Sequence, residues 1–467
     1  MKKRHFFWII GAVVVITVSL ACACCEPKNE PEPPSTGSTY GDTLKVDGMT
    51  RVPVHAQLTH AQPMTGLVLW RDQARELDAD YRNSISLEYS YCLPCRVVKG
   101  KNGSDIEYDW TYFEEILNDI ASRNHQAVVR FRYEYPGSRE VDGEPGTTAV
   151  PDYIKALPDY HETFNNNDDG PTYYADWTND ELQWFTKQFY YDFADRYGND
   201  DRVAFLEVGF GHWSEYHIYG TELDPGVNFP SKNYQAEFLQ FVDENVHIPW
   251  LISIDAADDY YTPIVHSSEL MALHFGLFDD SFMHRSHEIV DGDEETGYNE
   301  QCWNAIGQGV RWQIAPCGGE ISYYSSRDQK NFLNPDGLYG RTWEEQAAKY
   351  HISFMIANDA PSGQYGTAER FLEAAWASGY RFKMLDVKTD SEKTLILMTN
   401  TGVAPIYKET FLCIGPWAGE PVLNSIMPGD TTIITIDTPL KKAEEFNIFS
   451  MSVPVSQTIE FEANVGN

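Results

Sequence analysis

Positive charge is scarce in this 467-residue chain: Lys and Arg number 35 against 70 Asp and Glu, a formal net charge of −35. That balance excludes nucleic acid and anionic lipid headgroups as partners, because neutralising phosphates takes a basic stripe and none is present. It also disfavours densely anionic polysaccharides, while a local basic site remains open to the chain. No glycine-rich phosphate loop follows the first strand-like run, which argues against an open sheet with a nucleotide site. Zinc-ribbon spacing is missing too. Cys92-Leu-Pro-Cys95 has no second pair behind it, so a structural loop or a local disulfide is expected there. Beyond the first 25 residues the cysteines are Cys92, Cys95, Cys302, Cys317 and Cys413, an odd number that leaves at least one free thiol. No cysteine is assigned to catalysis, and no metal or cofactor is expected.

Long apolar runs are lacking except at the start. Met1 is followed by Lys2, Lys3 and Arg4, then by an apolar run from Phe6 to Ala21 that is short for a bilayer span and ends in small residues. That reads as a signal peptide. It closes on Leu20-Ala21-Cys22-Ala23-Cys24-Cys25. A cysteine after small residues is what a bacterial lipoprotein peptidase needs, since the thiol accepts diacylglycerol before cleavage, so one of Cys22, Cys24 and Cys25 is expected to be lipidated. Residues 1–25 then form the signal and lipidation region. Residues 26–45, rich in Pro, Glu and Ser, form a disordered tether. The expected location is the bacterial cell envelope, at the outer membrane or cell surface, with membrane contact only through the anchor.

What is present is ample core material, 42% hydrophobic and 14% aromatic, with 12 Trp and 28 Tyr. Strand-like runs fall at Gly66 to Trp70, Ser84 to Tyr91, Ala127 to Tyr133, Val203 to Phe210, Trp250 to Ile254, Met271 to Phe278, Arg311 to Ala315 and His351 to Ala357. Helical stripes at Trp110 to Arg123, Asn179 to Tyr197, Tyr234 to Asn245 and Glu369 to Ala377 lie among them. Strands buried on both faces and alternating with helices predict a (β/α)8 TIM barrel over residues 46–378. After Gly379, short strands split by Asn400-Thr401-Gly402 and Pro428-Gly429-Asp430 predict a small antiparallel β-sandwich over residues 379–467.

In such a barrel the chemistry sits where strands end, so carboxylates there are the candidates. Glu215 follows the fourth strand in Gly211-His212-Trp213-Ser214-Glu215-Tyr216-His217, and Glu320 follows the seventh in Pro316-Cys317-Gly318-Gly319-Glu320. Glycosidic cleavage needs two carboxyl groups, one protonated to give a proton to the leaving oxygen and one ionised to attack the anomeric carbon or activate water. Glu207, inside the fourth strand with the parity of Phe205 and Gly209, is a rival or a support for Glu215.

These motifs, with Leu277 to Phe282 after strand six and a final β-domain, resemble an uncharacterised family of bacterial glycoside-hydrolase-like barrel lipoproteins, over roughly Thr65 to Val453. Its architecture is similar to that of the clan A retaining glycosidases. The resemblance implies Glu215 as acid/base and Glu320 as nucleophile. It departs from clan A in having Ser214 where an Asn usually precedes the acid/base.

Other candidates surround the pair. Asp279 and Asp280 are expected to bind sugar hydroxyls, orient a catalytic group or cap a helix. Arg130 and Arg132, on one face of strand three, are expected to pair with carboxylates and tune them. Trp70 and Trp213 are stacking or packing residues, and together with Arg132, His212 and His217 they are expected to bind substrate. A metal held by His212, His217 and Asp279 matches no zinc signature. The long segment from Pro136 to Trp177 should fold over the mouth, with shorter loops at His284 to Glu300 and Ser322 to Arg341. The leading expectation is hydrolysis of a neutral or weakly charged oligo- or polysaccharide. The alternatives are a non-catalytic glycan-binding lipoprotein on the same barrel and an adhesive surface protein.

Overall fold

The computed structural model describes residues 43–466 except 138–139, 142–143, 146–147, 217–222, 291, 294 and 358–360. The signal region, the lipidation cysteines, nearly all of the tether and His217 therefore lie outside the described residues. Eight parallel strands close a barrel: β1 (Gly66–Trp70), β2 (Leu87–Cys92), β3 (Gln126–Phe131), β4 (Val203–Glu207), β5 (Trp250–Ser253), β6 (Gly276–Phe282), β7 (Cys317–Ile321) and β8 (Phe354–Ile356). Each strand pairs with the next in sequence, and β8 returns to β1 with Phe354 opposite Gly66.

Alternation along the strands makes both layers. Val68, Leu87, Tyr89, Val128, Phe205, Leu251, Phe278 and Phe354 fill the interior, where the rings of Phe205 and Phe354 stack 4.9 Å apart. Their neighbours Leu67, Ala127, Val129, Leu206, Ile252, Leu277 and Met355 belong to the outer core beneath the helices. Helix α1 (Thr111–Ser122) buries Phe113, Ile116, Leu117 and Ile120, one stripe of a 3.6-residue period. Helices α2 (Asp180–Tyr197) and α3 (Lys232–Asn245) start at Asn179 and Ser231, whose side chains accept backbone N–H groups of the first turn. Helix α4 (Trp343–Lys349) opens with a Thr342/Glu345 capping box, and α5 (Ala368–Trp376) buries Phe371, Ala374 and Ala375.

Two strands differ from their predicted positions. The sixth was expected at Met271 to Phe278, but Ser267 caps a helical turn at Ser268–Met271 and the strand runs on through Asp279, Asp280 and Ser281. The seventh was expected at Arg311 to Ala315. There the Arg311 guanidinium donates to the carbonyls of Leu273 and Met271, which fixes a 3-10 turn, and the strand begins at Cys317. Glu320 is thus inside β7, one residue from its end. Of the two expectations for Cys92 and Cys95, a structural loop or a local disulfide, the disulfide does not form, and none joins Cys302, Cys317 or Cys413. Cys92 faces the outer core from β2, while Cys95 lies in the short helix Pro94–Val97 with its N–H donated to the Ala149 carbonyl.

Beyond the barrel, β9 (Phe382–Thr389), β10 (Thr394–Asn400), β12 (Thr431–Ile436) and β14 (Glu462–Val465) form one sheet, and β11 (Phe411–Ile414) and β13 (Phe446–Phe449) pair in a second. The first sheet is mixed, because β14 lies parallel to β9, and it also takes in Thr50–Arg51 and Val54–Ala56 from ahead of the barrel. This β-layer closes the bottom of the barrel. Gln457 donates to the Asn124 carbonyl, Gln126 to Ser452, Lys408 to His247 and Tyr407 to Trp312, all at residues that start or precede barrel strands. Its apolar side chains and those of the barrel interior form one cluster.

Candidate active site

The site begins with a turn that only particular residues can make. After β4 the chain doubles back so closely that a Cβ on Gly209 would lie 2.0 Å from the Ser214 carbonyl oxygen. Trp213, Ser214 and Tyr216 all have left-handed backbones, with φ of +55°, +61° and +59°. Such conformations are unfavourable for side-chain-bearing residues and persist only where the surroundings enforce them. Here the enforcement is a set of hydrogen bonds: Ser214 N–H to Gly211, Glu215 N–H to His212, and Tyr216 N–H to Phe210. The result is a Glu215 carboxylate folded back into the mouth.

On the opposite wall the twin glycines of β7 have separate reasons. A Cβ on Gly318 would strike the Phe354 ring at 2.6 Å, and one on Gly319, whose φ is +139°, would lie 2.0 Å from the Asp279 carbonyl oxygen. Their smallness lets β7 settle against β6 and sets Glu320 inward.

Arg130, buried on β3, joins these elements. Its Nε donates to Glu207 at 2.9 Å, and its Nη2 lies 2.6 Å from the same carboxylate. Nη1 donates to Glu215, and Nη2 is 3.8 Å from Glu320. The guanidinium also sits 4.3 Å from the centre of the Phe278 ring. Tyr91 adds a hydroxyl donated to Glu215 at 3.4 Å. One cation therefore serves three buried carboxylates, and they cannot all be ionised together. Burial pushes Glu320 well above the usual carboxylate range, the charge of Glu215 adds to it, and Arg130 offsets only part. Glu207 is raised as well, again chiefly by burial, against the pull of Arg130. Burial works against the charge of Arg130, but Glu207 and its neighbours outweigh it and hold the guanidinium protonated.

The other candidates separate by where their side chains go. Trp70 ends β1 on the inner face, packs edge-on to Tyr89 at 4.7 Å, and donates its indole N–H to Tyr323 at 2.6 Å. Tyr323 and Tyr324 are exposed beside it, so this rim is aromatic. Trp213 meets the Tyr135 ring edge-on at 6.1 Å, where the ends of β3 and β4 run side by side. Asp280 shares the inner face, and its charge helps to raise Glu320. Asp279 does not face the mouth: it points outward, fully buried, and accepts from Ser281 N–H, Asn299, His287 and Trp303. It ties down the loop after β6. His212 is likewise buried, bonded to the Tyr174 hydroxyl at 2.7 Å and to Asp169 at 3.2 Å. Through it the hairpin Thr163–Asn167/Gly170–Tyr174, part of the long segment after β3, is fastened to the Glu215 turn. His212 and Asp279 are thus engaged by different partners. Among the described residues no group of three or more His, Cys, Asp or Glu could hold a metal ion.

Three participants escaped the sequence reading. Tyr91 is the next inward residue after Tyr89 on β2, a Tyr-Ser-Tyr alternation that signals a shared face. Glu134 continues the same alternation from Arg130 and Arg132. Its carboxyl accepts the Ala175 N–H at 3.1 Å, its carbonyl accepts the Trp213 N–H, and burial pushes its pKa up to about 8. Tyr174 carried no local signal, because its hairpin lies within a segment legible only as long.

No protein-family model and no curated protein sequence matches the chain. Among solved structures it is similar to an endo-glycoceramidase II from Rhodococcus sp., with 10% identity, TM-score 0.39 and 82% of this chain and 98% of that one covered. It is also similar to a family 39 glycoside hydrolase from Bacteroides cellulosilyticus, with 9% identity, TM-score 0.40 and coverage of 84% and 79%. A third is the catalytic domain of β-amylase from Paenibacillus polymyxa, with 9% identity, TM-score 0.37 and coverage of 68% and 96%.

Proposed function

We propose that the mouth of the barrel hydrolyses glycosidic bonds of an oligo- or polysaccharide through Glu215 and Glu320. The observation that carries this reading is the single Arg130 guanidinium contacting both carboxylates, while burial and the charge of Glu215 push Glu320 well above the usual carboxylate range. Both contacts run to one planar group, so the facing oxygens are within about 9 Å. That span accommodates either glycosidase geometry, about 5–5.5 Å for retention or about 6.5–9.5 Å for inversion. Trp70, Tyr323 and Trp213 provide apolar faces on which sugar rings stack.

The electrostatics favour an order of roles opposite to the one the resemblance implies. Glu215 is ion-paired to Arg130 and hydrogen-bonded by Tyr91, which suits an ionised nucleophile or base. Glu320 keeps its proton and suits the general acid. The deciding test is turnover of aryl glycosides and a polysaccharide panel by the wild type, Glu215→Gln and Glu320→Gln. Loss of about 100-fold or more in both variants supports the pair, since each supplies general acid–base or nucleophilic catalysis. Azide rescue of the alanine variants then separates the roles, because a glycosyl azide of inverted configuration forms only where the nucleophile has been removed. Full activity in both variants refutes the assignment, and binding without turnover by the wild type returns the barrel to the glycan-binding alternative.

The location belongs to the same proposal: an exported protein anchored by lipid on Cys22, Cys24 or Cys25. Metabolic labelling with an alkynyl fatty acid tests it. Label should disappear when all three are changed to Ser, and an unlabelled wild type refutes the anchor.

A further inference from the structure

Arg132 is the next residue of inward parity after Arg130, just beyond the end of β3, and its circumstances are the reverse. Arg130 is saturated by carboxylates, whereas Arg132 has no ion pair within 4 Å among the described residues. It is only 7% exposed. Its Nε and Nη1 are buried and donate to nothing among the described residues. The guanidinium lies over the Tyr135 ring at 4.2 Å and the Tyr91 ring at 5.2 Å. Those contacts occupy its faces and leave the in-plane N–H donors. The carboxyl two residues on, Glu134, is no counter-ion: burial keeps it protonated up to about pH 8, and its oxygen is taken by the Ala175 N–H. In a chain with twice as many acids as bases, this buried cation forms no ion pair with any carboxylate of the described residues, although its charge is felt at Glu134.

A buried charge without a partner is strongly unfavourable, and a complementary anion removes that penalty while gaining charge-assisted hydrogen bonds. Arg132 is also close to the reaction centre, since the Tyr91 ring it touches sends its hydroxyl to Glu215. We infer that Arg132 is a specificity site for a single anionic group, a uronate carboxylate or a sulfate ester, on the sugar bound beside the Glu215–Glu320 pair. The inference deepens the glycan-cleaving reading and rests on it. It also reconciles the local site with the overall charge: a net −35 repels a dense polyanion, while one acidic residue in an otherwise neutral glycan needs only the single guanidinium of Arg132.

The test is binding, so it does not depend on turnover. Disaccharides ending in glucuronate or galacturonate, each beside its carboxyl-reduced neutral counterpart, and a sulfated galactose disaccharide beside its desulfated form are titrated calorimetrically. The proteins are the wild type, Arg132→Gln, Arg132→Lys and Glu320→Gln. Wild type and Glu320→Gln should bind at least one acidic probe about tenfold or more tighter than its neutral partner. Arg132→Gln should bring that ratio close to one, and Arg132→Lys should restore part of it, which a merely structural arginine would not show. The pair that discriminates identifies the anion as carboxylate or sulfate. An unchanged ratio in a folded Arg132→Gln protein, equal binding of acidic and neutral forms by the wild type, or no binding of any acidic probe overturns the inference. Discrimination that depends on Arg132 in a protein that hydrolyses none of the panel leaves this site standing and refutes the hydrolase reading instead.

Discussion

Replacing Arg130 with Met, a neutral side chain of comparable length, isolates the charge balance at the centre of the barrel. In the native protein this guanidinium meets Glu207 at 2.6 Å and Glu320 at 3.8 Å and also pairs with Glu215. Without it the carboxylates can fold in place only by taking up protons, and each pKa unit of upward shift costs about 1.4 kcal/mol once the pH exceeds it. Breaking a buried pair from one side typically costs about 3–5 kcal/mol. The sign follows from linkage: carboxyls raised above their unfolded pKa bind more protons in the native state, so stability falls as pH rises above about 4.3. The penalty of Arg130→Met should therefore be about 1 kcal/mol or less at pH 5 and approach about 3–5 kcal/mol at pH 8. Urea unfolding of wild type and variant at pH 5, 6, 7 and 8 measures it. A penalty that is the same at every pH would refute the argument and assign the role of Arg130 to packing against Phe278 and Tyr89.

Four further outcomes are expected. Glu134→Gln keeps the acceptor for Ala175 but removes a carboxyl raised to about 8, so relative to wild type it should gain stability between pH 5 and pH 8, by a few kcal/mol at most; parallel pH–stability curves would contradict the burial of that acid. Gly319→Ala forces a Cβ against the Asp279 carbonyl in a backbone with φ of +139° and should abolish activity while lowering the unfolding midpoint; a fully active, equally stable variant would show that β7 tolerates displacement. Asp279→Asn turns an acceptor of three side-chain donors into a partial donor, and calorimetry should show destabilisation of about 2 kcal/mol or more, with unchanged stability as the contrary result. Trp70→Ala should raise KM several-fold with less effect on kcat if the rim stacks sugar; kinetics on whichever glycan the panel identifies would reverse that reading by showing a fall in kcat alone.

The barrel was legible because its strands are buried on both faces, so an apolar run at each turn of the β/α alternation is required by the architecture. The glycine-flanked glutamates were legible for a related reason: Gly209 and Gly319 stand where a side chain would collide with backbone. The ends of β6 and β7 were not, since they depend on Arg311 reaching carbonyls about 40 residues away and on a one-turn helix capped by Ser267. That misplacement concealed a simple consequence of parity. With β6 extending to Phe282, Asp279 and Asp280 are consecutive strand residues and must face opposite ways, one into the loop and one into the mouth. Arg130 and Arg132 share a face in the sequence, yet only the third dimension reveals that one collects the carboxylates and the other pairs with none among the described residues.

The sheet beneath the barrel also sets the order in which the fold can be completed. Val54 pairs with Val465, and β14, the last strand described, lies between Val54–Ala56 and β9. The strand Val54–Ala56 thus waits for a partner made some 400 residues later, and loop closure over such a span is slow. Until Glu462–Val465 has been made, Val54–Ala56 and part of one edge of β9 lack their partner. Aggregation during folding should concentrate there, and a covalent link between the two paired segments should accelerate refolding while leaving the Arg130 cluster at the opposite pole untouched.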